Sequence, residues 1–206
     1  MARDTTRTIV RASWYAIGLG LLFEVLQLAV IAIGGAELPA LAAVLADTAQ
    51  KVSWSYVVCV SLAAGTAASR AAPGAVATVG FLGAPLAFGA ARAMHKTVGQ
   101  VLSVSVPAGG PSPWLLAGIK GVEYAIFGWL IARLIRRPEL RLPPYVRTGA
   151  IIGVIFGALL LWIMNSATPS GLSALTLVAR GLNEMLFPVG CACVLWVTGV
   201  LARRAG

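Results

Sequence analysis

Residues 133–147 read RLIRRPELRLPPYVR, five arginines lodged between two long apolar runs. Arginine stays charged at any physiological pH, so a cluster this dense belongs in water at a membrane edge and not in hydrocarbon. Similar clusters recur outward from it. Arg3, Arg7 and Arg11 precede the first apolar segment, Arg70 lies between the second and third, and Arg203 and Arg204 follow the last. Of the 16 lysines and arginines, these account for eleven; Lys51, Arg92, Lys96, Lys120 and Arg180 fall at the opposite ends of the segments. Basic loops are retained in the cytoplasm during insertion. The expectation is an all-α, polytopic membrane helix bundle: six transmembrane helices with both termini cytoplasmic. Five or seven spans would break the alternation.

Composition agrees. The chain is 59% hydrophobic and 11% charged, with mean hydropathy +0.87, whereas a soluble domain carries about 25% charged residues. The lipid bilayer is therefore the expected partner, and a plasma membrane, bacterial inner membrane included, the expected location. A net charge of +9 does not point to nucleic acid here, because the excess sits in short loops where topology and anionic lipid account for it.

A span needs about 20 apolar residues. Six stretches qualify, at about 13–33, 52–68, 74–94, 114–135, 148–164 and 183–201. Pro85 and Pro188 lie inside the third and sixth. Residues 38–50 and 171–182 are apolar and helix-competent but too short to cross, so a short outer-side helix is expected before helices 2 and 6. Ile9-Val10-Arg11 and Tyr145-Val146-Arg147 open two such units, which reads either as an internal duplication or as chance similarity between apolar segments.

Small residues recur at four-residue spacing on Gly149, Gly153 and Gly157, on Ala117, Gly121 and Ala125, on Gly83, Ala87 and Ala91, and on Ser61, Gly65 and Ser69. Such stripes let helix backbones approach closely in lipid. They are read as packing surfaces within the bundle, with a homo-oligomer contact as the other reading.

Ionisable residues inside spans cost about 3 kcal/mol each on insertion scales. Glu24 is the deepest acid and has no cation on its own helix, so its partner must come from another helix, from water or from a proton. Gln27 lies one turn on. Lys120 and Glu123, three apart, share a helical face, while Arg180 and Glu184, and Asp47 and Lys51, are spaced four apart. Arg92, His95 and Lys96 cluster at the end of the third span. Together Glu24, Gln27, Arg92, His95, Lys120, Glu123, Arg180 and Glu184 suggest an outward-facing polar cavity.

No cofactor or metal is implied. His95 is the sole histidine, Cys59 stands apart, and Cys191 and Cys193 point to different helix faces. No nucleophile motif and no phosphate loop is present, so no catalytic residue is nominated and an enzyme is the less favoured class. The apolar link 101–113, rich in Gly and Pro, is read as a cap over the cavity, a re-entrant loop or a partner contact. The leading expectation is a small-solute or ion transporter or channel. The alternatives are a structural or assembly subunit of a larger membrane complex, and a lipid-directed membrane enzyme.

Overall fold

The computed structural model describes residues 2–68, 72–104, 111–168 and 171–204. They form six α-helices and, among the described residues, no strand: α1 (Ala2–Ile33), α2 (Leu41–Ala68), α3 (Pro73–Val101), α4 (Pro113–Ile135), α5 (Leu142–Ser166) and α6 (Ala174–Arg204). Prolines in the first turn open α3, α4 and α5, where a missing N–H is tolerated and the fixed φ favours a helix. Part of the 101–113 link, residues 105–110, lies outside the described residues, as does Ser69 of the small-residue stripe.

Five of the six helices are long and apolar enough to cross a membrane. The sixth, α2, is long enough at 28 residues, but Lys51, Ser53, Ser55, Ser61 and Thr66 dilute its apolar character. It is packed between α1 and α3, so those polar groups are sheltered. The helices also run beyond the expected spans. Residues 41–50 and 174–182 are helical and form the first turns of α2 and α6, running into the spans that follow.

Each helix packs on its neighbours in sequence, and α6 closes the ring against α1 while also touching α2 and α4. Close approach depends on glycine. A Cβ added to Gly153 would collide with the Met185 carbonyl, and one at Gly149 would lie 2.6 Å from Val189 Cα. The Cβ of an alanine at Gly157 would meet the more yielding Met185 side chain at 2.8 Å. The face of α5 carrying these three glycines is thus in backbone contact with α6. Gly80 against the Tyr124 carbonyl, Gly128 against Val76 and Gly20 against Val52 do the same for α3–α4 and α1–α2; these three positions lie outside the four-residue stripes.

Outward faces are apolar: Leu21, Leu22 and Val25 on α1, Leu82 and Leu86 on α3, Ile151, Val154 and Ile155 on α5 are all exposed. Inside, Val58, Leu62, Tyr124, Phe127, Ile131 and Leu195 form the core. An apolar exterior around a tightly packed interior is compatible with a multi-pass integral membrane protein.

One end of the bundle is basic. There the Arg203 guanidinium donates to the carbonyls of Ile135, of Arg137 at 2.7 Å and of Pro138 at 2.7 Å. The first belongs to the last residue of α4, whose carbonyl has no helical partner, and the other two to the link just after it. The Trp196 indole donates to the Leu140 carbonyl at 3.1 Å, and Arg11 to that of Leu201 at 3.4 Å. The other end gathers the C-termini of α1, α3 and α5 with the N-termini of α2, α4 and α6.

Candidate functional site: a charged cavity among five helices

Depth explains why the charged side chains meet. Glu24 lies nine residues before the end of α1, Lys51 ten after the start of α2, Lys120 seven after the start of α4 and Glu184 ten after the start of α6. At 1.5 Å per residue all four are about 10–15 Å in from the same end of the bundle. Because neighbouring helices run antiparallel, that common depth becomes a common layer.

Lys51 reaches from α2 to form an ion pair with Glu24. Lys120 is held between two carboxylates, 2.8 Å from Glu123 Oε2 on its own helix and 2.7 Å from Glu184 Oε2 on α6. It also lies 5.6 Å from the centre of the Trp54 ring and 5.9 Å from that of Tyr124, where the π-faces attract a cation. Glu123 is completely buried, and its Oε1 has no hydrogen-bond partner among the described residues. The layer therefore holds three carboxyl groups and two lysines, one carboxyl group more than the lysines can pair one to one.

A cavity of about 100 Å³ opens beside this layer. α1 contributes Gly20 and Phe23, α2 Gln50, Lys51 and Trp54, α3 Phe88 and Ala91, α4 Lys120, and α6 Asn183, Glu184 and Phe187. Its floor is aromatic: Trp54 and Phe187 are 5.9 Å apart, Phe23 and Phe187 5.6 Å, and Trp54 packs edge-on against Tyr124 at 5.8 Å. Polar groups at the rim and aromatic rings below make a site that can hold a small molecule by charge at one side and by contact at the other.

Two pairings read from spacing are corrected. Asp47 does not pair with Lys51; it lies 3.0 Å from His95 Nε2 on α3, and Lys51 is turned to Glu24 instead. Arg180 does not pair with Glu184; it is exposed, with Nη1 3.7 Å from Met164 Sδ, while Glu184 goes to Lys120. In each case the same-helix partner loses because the cross-helix one lies deeper, where a charge needs it most. Arg92 is exposed and lies over the Phe88 ring at 5.7 Å. Gln27 is outside the charged layer, lining a separate pocket of about 70 Å³ between α1 and α6 whose other walls are nearly all apolar. Asn183 borders both pockets.

Lys51, Gln50, Trp54, Asn183 and Phe187 were not among the residues that the sequence nominated for the cavity. The signal that would have found Lys51 is depth: counted from the helix ends, it stands level with Glu24. A second unforeseen meeting lies below the cavity. Cys59 of α2 and Cys191 of α6, 132 positions apart, bring their sulfurs within 3.2 Å, both fully buried. No group of three or more potential metal ligands forms among the described residues.

No family model matches the chain, and neither a curated protein nor a solved structure is detectably similar to it. The fold and the cavity are thus the grounds for a functional reading.

Proposed function

We propose that the chain is a six-span plasma-membrane transporter or channel for a small solute or ion, with both termini cytoplasmic and the charged cavity opening on the outer side. One observation carries the reading. Five ionisable groups are held 10–15 Å inside an apolar bundle, beside a cavity, with one carboxyl group more than the lysines can pair one to one. Structural ion pairs in lipid tend toward neutrality, because an unbalanced charge there is costly. A spare carboxyl group beside a cavity, able to take a proton or to meet a visiting cation, favours a mobile cation, the proton included, as substrate or coupling ion.

The alternative, a non-catalytic subunit of a larger membrane complex, is favoured by how fully the lysines are satisfied within the chain, as in ion pairs whose role is only to join helices. For a lipid-directed enzyme, no arrangement of nucleophile and base is found among the described residues. The discriminating experiment is reconstitution into liposomes on a solid-supported membrane. Sodium, potassium, ammonium, small alkylamines and amino acids would be applied as concentration jumps at two pH values. A transient current from at least one, reduced about tenfold or more in Glu184→Gln, is expected. Absence of current across the panel, with a stable partner protein retained on purification from native membrane, would favour the subunit reading.

A further inference from the structure

Four of the residues lining the cavity beside the charged layer are aromatic: Phe23, Trp54, Phe88 and Phe187. Of the layer's three carboxyl groups, Glu184 alone is among the lining residues. Both lining lysines are engaged, Lys51 with Glu24 and Lys120 with Glu123 and Glu184. Gln50 and Asn183 also line the cavity, half-buried, and their side-chain amides have no hydrogen-bond partner among the described residues.

Lys120 demonstrates what such a wall can hold. Its ammonium lies 5.6 Å from the centre of the Trp54 ring and 5.9 Å from that of Tyr124, with Glu184 Oε2 at 2.7 Å. An ammonium on aromatic faces beside a carboxylate is therefore already present, at the end of a lysine's four-carbon chain. The space beside it is about 100 Å³, less than the roughly 150 Å³ that takes a benzene ring. Other occupants fit this wall less well. An anion would have to draw the lysines from carboxylates they already meet. A hard inorganic cation takes about six oxygen ligands, whereas the lining side chains bring oxygen from Gln50, Asn183 and Glu184 alone. A neutral apolar molecule would leave both amides unpaired.

We propose that the cavity binds a small organic ammonium ion, a primary amine with a compact apolar body of about four carbons. Its charge meets Glu184 and the amide oxygens of Gln50 and Asn183, and its body lies on Trp54 and Phe187. Lys120 keeps Glu123 when Glu184 turns to the guest. The inference rests on the reading of the layer as a site for a mobile cation, and it names the class of that cation.

Binding to the full-length protein in detergent would be measured by calorimetric titration with the chlorides of n-butylammonium, sodium and potassium at equal ionic strength, and with sodium butyrate. n-Butylammonium should bind, and the other three should bind at least tenfold more weakly. Affinity should rise about threefold per carbon from methylammonium to n-butylammonium, then stop rising at n-hexylammonium, whose body outgrows the cavity. That series uses the parent protein, so it stands even if a variant misfolds. Glu184→Gln should weaken n-butylammonium about tenfold, and Trp54→Leu, which keeps apolar bulk but removes the ring, about threefold or more. Arg180→Gln, at an exposed residue, should change nothing. Sodium or potassium binding as tightly as n-butylammonium, affinity indifferent to chain length, or binding unchanged in both Glu184→Gln and Trp54→Leu overturns the inference. Because binding is read apart from transport, the two readings fail separately. n-Butylammonium that binds but drives no current in liposomes upholds the site and removes transport. Currents from sodium, potassium or a pH jump, with no amine bound, uphold transport and overturn the site.

Discussion

The two ends of the bundle use the same residue types in opposite ways. At the cavity end, Lys120 is buried, Lys51 is partly buried, and each meets a carboxylate from another helix. At the basic end, Arg203 spends its donors on backbone carbonyls, and Arg141 holds Glu139 in the open. Depth makes the difference. A cation 10 Å or more inside must bring its counter-ion with it, and the pair then binds helices together. A cation at the rim has water, so its hydrogen bonds shape a link while its charge remains free for an external partner.

The sharpest way to break this comparison is to ask which end faces which compartment. In a background lacking native cysteines, Glu139→Cys and Leu38→Cys should respond oppositely to an impermeant maleimide added outside cells, with only Leu38→Cys labelled. Labelling of Glu139→Cys alone would invert the proposed orientation and place the cavity on the inner side.

Next in size is Lys120→Met. It leaves Glu123 and Glu184 without their shared cation, and breaking a buried pair costs about 3–5 kcal/mol. Melting in detergent should fall sharply, and Glu184→Gln added to it should recover part of the loss. If Lys120→Met melts like the parent, the layer is wet and the comparison by depth fails.

Arg203→Ala should cost less, about 1–3 kcal/mol, since water can reach the carbonyls that it abandons. Its signature is local: amide hydrogen exchange should rise around residues 135–138 and stay unchanged around Lys120. A rise at both would mean that the two ends are not independent. Smallest of all is Glu139→Gln, which removes an ion pair whose side chains are 74% and 68% exposed. Stability should move by less than about 1 kcal/mol. A larger drop would show that the 133–147 segment is held by that pair rather than by Arg203.

How far the sequence could foretell these ends follows the same line. The basic end was readable, because arginine clusters beside apolar runs report on loops and need no knowledge of how helices rotate against each other. At the cavity end only what is local was readable. Lys120 and Glu123, three apart, are 2.8 Å from each other. Glu24 announced that it needed a partner without saying which. Helical spacing assigned Lys51 to Asp47 and Arg180 to Glu184, and both assignments failed, because which helix a side chain turns toward is fixed by the contacts of whole faces. Cys59 with Cys191 is the extreme case, a meeting across 132 residues that no local pattern encodes. The glycines show the same divide. Gly149, Gly153 and Gly157 stood out by their regular spacing, while Gly20 and Gly80 press just as closely on their neighbours without any.

The place of α6 bears on how the chain is made. It touches α1, α2, α4 and α5, brings Glu184 to the charged layer, and carries in its last turn the arginine that satisfies the carbonyls after α4. As the chain emerges from the ribosome, α1 to α5 therefore reach the membrane with Lys120 short of its second carboxylate and the α4–α5 link unfastened. Both shortages end in one event, when α6 joins the bundle. Until α6 arrives the helices before it lack both sets of contacts, so their final packing waits on it.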